Sequence, residues 1–124
     1  MPGPPVLRAL RGATTVEHDT AEEISPRVQE LLNEIMVAND LLEDDVVSII
    51  FTATADVVSM FPATAAREIG FGAVPLLCAA EIAVPGATPK CLRVLLHVHT
   101  TLGRDELRHV YLHGAQGLRD DLPG

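Results

Sequence analysis

The sequence predicts an α+β fold: a five-stranded mixed sheet with one long and one short helix. Three observations carry that expectation. Several segments are rich in β-branched and apolar residues and are bounded by turn formers. One long segment repeats its apolar residues at helical spacing. The order β, long α, β, short α, β, β, β then fits helices laid on a sheet. With 124 residues the chain is long enough for one core and too short for two, so 1–124 is expected as a single domain with flexible ends at 1–5 and about 119–124.

The first strand is expected at Val6 to Thr14, after a Pro/Gly leader, with Leu7, Ala9 and Arg11 on one face. Thr20 followed by Glu23 forms a capping box, and Ile24, Val28, Leu31, Leu32, Ile35 and Met36 recur on one side, which predicts a helix from about Ala21 to Asn39. Pro26 falls early enough to be tolerated. Val46 to Thr54 is apolar on both faces and reads as an interior strand. Pro62 opens a short helix that Gly70 closes. The run "AVPLLCAAEIAV" predicts a third strand, Cys91 to Thr100 a fourth, and "RHVYLH" a fifth, followed by a short turn or helical piece. The long helix covers one face of the sheet, and the other face is left for neighbouring subunits or a site.

Charge and composition exclude several functions. The net charge of −8 argues against nucleic acid as a partner, which requires a basic face. The sequence contains no apolar run long enough to span a membrane and no signal peptide, so a cytoplasmic location is expected. Cys78 and Cys91 lie in apolar runs and are expected as reduced thiols. Of nine basic residues eight are Arg, the side chain that grips carboxylates in a planar fork and tolerates partial burial.

Alternation along "CLRVLLHVHT" separates Leu92, Val94, Leu96 and Val98 from Cys91, Arg93, Leu95, His97 and His99. Arg93 therefore points away from the core face. It reads either as an interface ion pair or as part of a site. Glu81 ends an uncharged run and is the natural partner for Arg93 if their strands are neighbours. Arg11, Arg67, Arg108 and Tyr111 also sit on elements, and converging guanidiniums would select a small polyanion, such as a dicarboxylate. His97 and His99 lack a third ligand in any recognisable metal motif, so no metal site is expected. Phosphate-binding and hydrolase motifs are missing from the sequence.

Taken in order, "RGATTVEHDT", "FTATADVVSMFPATAARE", "VPLLCAAE", "CLRVL" and "RHVYL" resemble the small monofunctional chorismate mutases of the trimeric α/β-barrel type, from about Leu7 to Leu118. The resemblance implies a homotrimer whose sheets pack into a pseudo-α/β-barrel, with active sites between subunits. It implies the cofactor-free rearrangement of chorismate to prephenate in aromatic amino-acid biosynthesis. Arg93 would donate to the breaking ether oxygen, and Glu81 would accept from the ring hydroxyl and orient Arg93. Arg11 and Tyr111 would bind carboxylate, and Arg67 would assist near the entrance. Cys78, with its neighbours Leu77, Ala79 and Ala80, would border the ring, and Phe61 would supply an apolar wall from the adjacent subunit. Thr64 stands where some relatives carry a basic residue, and the short tail suggests a partial lid. The alternative is a trimeric small-carboxylate-binding or imine-deaminating protein of similar architecture, which has no need of a Glu81 and Arg93 couple.

Overall fold

The computed structural model describes residues 3–121. In chain order it forms β1 (Val6–Thr15), α1 (Ala21–Ala38), β2 (Val46–Ala53), α2 (Pro62–Arg67), β3 (Leu76–Ala80), β4 (Cys91–Thr100) and β5 (Val110–Tyr111). Short 3₁₀ segments include Glu43–Asp45, just before β2, and His113–Asp121, after β5. The expected helical piece in the tail is therefore present as far as Asp121. The expectation of flexible ends lies partly outside the described residues, at 1–2 and 122–124.

The five strands form one mixed sheet in the order β3-β2-β4-β1-β5. β4 lies antiparallel between β1 and β2, while β3 runs parallel to β2 and β5 parallel to β1. This order explains why one face carries both helices. The chain steps from β1 to β2 and from β2 to β3 in the same direction along the sheet, between parallel strands. Right-handed crossovers then put both connecting helices on the same side, and α1 packs against α2. Among the described residues, the other face receives no α-helix.

The core fills the helix side. Leu10, Ile49, Phe51, Leu92 and Leu96 from the sheet meet Ile24, Val28, Leu31, Leu32 and Ile35 from α1, all at most 2% exposed. Burying each of these large side chains is worth about 1.5–3 kcal/mol relative to exposure. Gly12 sets how closely α1 approaches, because a Cβ there would lie 2.7 Å from Ile35 Cδ1 and 3.2 Å from Leu31 Cδ1. Any side chain there would have to displace the buried Ile35 side chain.

Three expectations are corrected. The third strand stops at Ala80, well short of the end of its apolar run: Glu81 adds one ladder bond, N–H to Ala53 C=O at 3.0 Å, and the chain then turns. Val84–Ala87 closes by a 3.1 Å hydrogen bond with Pro85 second and Gly86 third at φ +85, the residue pattern of a type II turn. β5 has only two residues. The capping box at α1 is half formed: Thr20 Oγ1 accepts from the Glu23 N–H at 3.3 Å, but the Glu23 carboxylate reaches past Thr20 to the amides of Glu17 and His18. Those amides lower the Glu23 pKa, with Glu17 contributing most. Among the described residues, no helix is long and apolar enough to cross a membrane.

Candidate active site

The pairing registers align one row of residues across the whole sheet. Ala79 of β3 lies beside Thr52 of β2, Thr52 beside Arg93 of β4, Arg93 beside Ala13 of β1, and Ala13 beside Tyr111 of β5. Paired residues point to the same side, so this row shares the face without α-helices. Ala79 is small and exposed, which leaves open floor beside Thr52, whereas Ala13, on the far side of Arg93, is only 1% exposed. Arg11 stands on the same face, opposite Leu95 and diagonal to Arg93. Arg11, Ala13, Arg93, Tyr111 and Leu118 line a cleft of about 190 Å³, which brings two guanidiniums and a phenol together.

Glu81 reaches Arg93 by an unexpected route. Their strands are not neighbours, because β2 lies between them. With β3 ended, the Glu81 carboxylate crosses above β2. There it accepts from the Thr52 hydroxyl at 2.7 Å and from Arg93 Nε at 3.1 Å on each oxygen. The Glu81 side chain is 15% exposed and that of Arg93 40%. The carboxylate thus takes the N–H nearest the arginine stem, and the guanidinium keeps its terminal amino groups for other acceptors. Glu81 is legible in the sequence as a partner for Arg93. Thr52 is not, because a threonine in a strand is ordinary and only the register brings it into the row.

The bare face is partly covered by the chain's own tail. Ala115, in the final 3₁₀ segment, packs on Ala13 and Cys91, with Tyr111 and Leu118 at the rim. Cys91 is consequently buried although it shares a face with Arg93, and burial pushes its thiol pKa up to about 11. Tyr111 is positioned from two sides. Leu112 N–H bonds to Ala13 C=O at 2.9 Å, and the buried Asn39 side chain clamps the backbone N–H and C=O of Arg108 at 2.8 and 2.9 Å. At the start of β5 the Arg11 N–H donates to His109 Nδ1 at 3.0 Å. That bond requires a neutral imidazole, and burial together with the Arg11 charge lowers the His109 pKa.

The remaining expected residues separate into two groups. Leu77 and Ala79 share the Arg93 face with Glu81, whereas Cys78 and Ala80 turn to the helix side. There Cys78, Ala80 and Phe61 border a second cavity of about 650 Å³ under the loop between β2 and α2. Asp19 holds that loop by accepting from the Val58 and Ser59 amides, each at 3.0 Å. Phe61 is 71% exposed, and Arg67 is exposed at the end of α2. Within one chain, Phe61 and Arg67 are not brought to the Arg93 cleft. Arg108 is likewise exposed, and His97 bonds Ser48 Oγ at 3.1 Å. Among the described residues, no three His, Cys, Asp or Glu side chains gather as a metal site.

The chain matches the family described as chorismate mutase type I over residues 7–122. It is 47% identical over 118 residues to the chorismate mutase AroH of Thermus thermophilus, covering 94% of this chain and 97% of that one. The corresponding Bacillus subtilis protein is 44% identical over 118 residues, with 94% and 93% covered. The structure of a chorismate mutase from Clostridium thermocellum superposes with a TM-score of 0.87 at 49% identity, covering 89% of this chain and 98% of that one. The chain therefore belongs to the chorismate mutase type I family.

Proposed function

Taking that membership as premise, we propose that this chain is an isomerase that rearranges chorismate to prephenate in aromatic amino-acid biosynthesis. The observation that carries the reading is the cross-sheet row. It sets Arg93, gripped through Nε by Glu81, beside Arg11 and Tyr111 in one cleft. The reaction is a [3,3]-sigmatropic rearrangement: the ether C–O bond breaks while a C–C bond forms within the same molecule. It needs no nucleophile. The protein's task is to hold the compact conformer and to stabilise the charge that separates as the ether bond breaks.

Arg93 is assigned to the ether oxygen, where negative charge grows in the transition state. A donor of this kind is worth about 2.7–4 kcal/mol of barrier. Glu81 orients the guanidinium and accepts from the ring hydroxyl. Arg11 and Tyr111 bind carboxylate through charge and phenol, with Leu77 and Ala79 bordering the same face. The imine-deaminating alternative has no use for the Glu81 and Arg93 couple that the fold builds.

Phe61, Arg67, Cys78 and Ala80 complete the site in this reading only through assembly. Phe61 at 71% exposure and Leu7 and Leu77 at 56% and 61% are large apolar surfaces on a folded chain. A homotrimer that covers the bare sheet face would seat the Phe61 and Arg67 edge of one subunit against the Arg93 cleft of the next. We assign the whole chain to a single such domain, working in the cytoplasm. The test is direct: purified protein, with nothing added, should consume chorismate and yield prephenate, and a rate equal to the spontaneous one would reject the reading.

A further inference from the structure

We propose that Thr52 is a positioning residue for this reaction, fixing the Glu81 carboxylate so that Glu81 can hold Arg93 across an intervening strand; the inference rests on the proposed mutase activity. Glu81 lies just past the end of β3, where its N–H makes a last backbone bond to β2. Its side chain must span β2 to meet Arg93, and the residue of β2 under that span is Thr52, paired to Ala79 on one side and Arg93 on the other. The Thr52 hydroxyl donates to Oε2 at 2.7 Å, shorter than either bond from Arg93 Nε, at 3.1 Å. A hydrogen bond to a charged oxygen is among the stronger ones a side chain makes. The carboxylate therefore has one anchor in the sheet and one on the guanidinium.

A carboxylate bound only through the guanidinium would be free to swing with it. Anchored to Thr52 Oγ1, it fixes the plane of the guanidinium and with it the direction of the terminal amino groups. Threonine is also a good strand former, so a purely structural role is the competing explanation. Valine separates the two, because it keeps the β-branched shape and removes only the hydroxyl. Serine keeps the hydroxyl.

The experiment measures kcat and KM for chorismate in Thr52→Val and Thr52→Ser, together with hydrogen exchange at the Arg93 Nε–H, which reads the contact without turnover. Thr52→Val is expected to lower kcat roughly tenfold with KM changed less than about threefold, as for an interaction felt in the transition state. Exchange at Arg93 Nε–H should quicken, and Thr52→Ser should restore both. Wild-type kcat in Thr52→Val, an equal loss in both variants, a loss confined to KM, or unchanged exchange would each overturn the proposal. A wild-type protein inert toward chorismate would instead reject the mutase reading, and the exchange measurement would still decide whether Thr52 anchors Glu81.

Discussion

Asn39→Ala should loosen the strand that carries Tyr111. Asn39 is 2% exposed, and its side chain makes three hydrogen bonds: Nδ2 to Ile35 C=O at 2.9 Å, Nδ2 to Arg108 C=O at 2.9 Å, and Oδ1 from Arg108 N–H at 2.8 Å. Alanine costs little at Ile35, whose carbonyl also accepts from the Asn39 amide at 3.2 Å. It strips both partners from the Arg108 backbone. Each such group left unpaired costs about 1–3 kcal/mol, and because the site is only partly buried the total is set at about 2–3 kcal/mol. For a chain of this size that corresponds to a fall in melting temperature of roughly 8–12 °C. The assay is thermal unfolding at fixed protein concentration, with amide exchange at Leu112, whose N–H closes on Ala13. Melting within about 2 °C of wild type, or unchanged exchange at Leu112, would refute the clamp.

Further outcomes follow from the same geometry. Gly12→Ala should destabilise by about 1–3 kcal/mol in urea unfolding, since its Cβ would lie 2.7 Å from Ile35 Cδ1 and the buried Ile35 side chain must be displaced; a neutral result would mean that this side chain repacks freely. His109 has a folded pKa below its ordinary 6.5, so the unfolded chain binds the proton more tightly. Its contribution to stability is complete above about pH 6.5 and declines as pH falls further. His109→Asn, which keeps an acceptor for the Arg11 amide without titrating, should flatten the dependence of melting temperature on pH in that window. An unchanged slope would assign it to other groups.

Much of the fold was legible because burial and period coincide. Leu92, Val94, Leu96 and Val98 alternate in sequence and are all at most 4% exposed, and the apolar stripe of α1 is its buried side. The third strand was overread for the same reason. Ile82 and Val84 look like core residues but are 87% and 58% exposed, and the turn at Pro85 and Gly86 overrides hydropathy. Strand order was not legible, since a β-branched run carries no label for its neighbour. Arg93, Glu81, Arg11 and Tyr111 stood out as charged or aromatic groups in apolar runs. Thr52 and Asn39 gave no such signal, because their roles arise from register and from a contact 69 residues apart. The second face looked bare in sequence because the glycine-rich tail hid the small apolar patch, Ala115 on Ala13 and Cys91, that covers one end.

The most direct test of the account is chorismate turnover by the wild type and Arg93→Ala side by side, with particle mass measured by light scattering. The account predicts cofactor-free turnover by wild type, a loss of at least about 10²–10³-fold in kcat for the variant, and unchanged particle mass. Wild-type turnover no faster than the spontaneous reaction, or a variant that keeps its kcat, would contradict it.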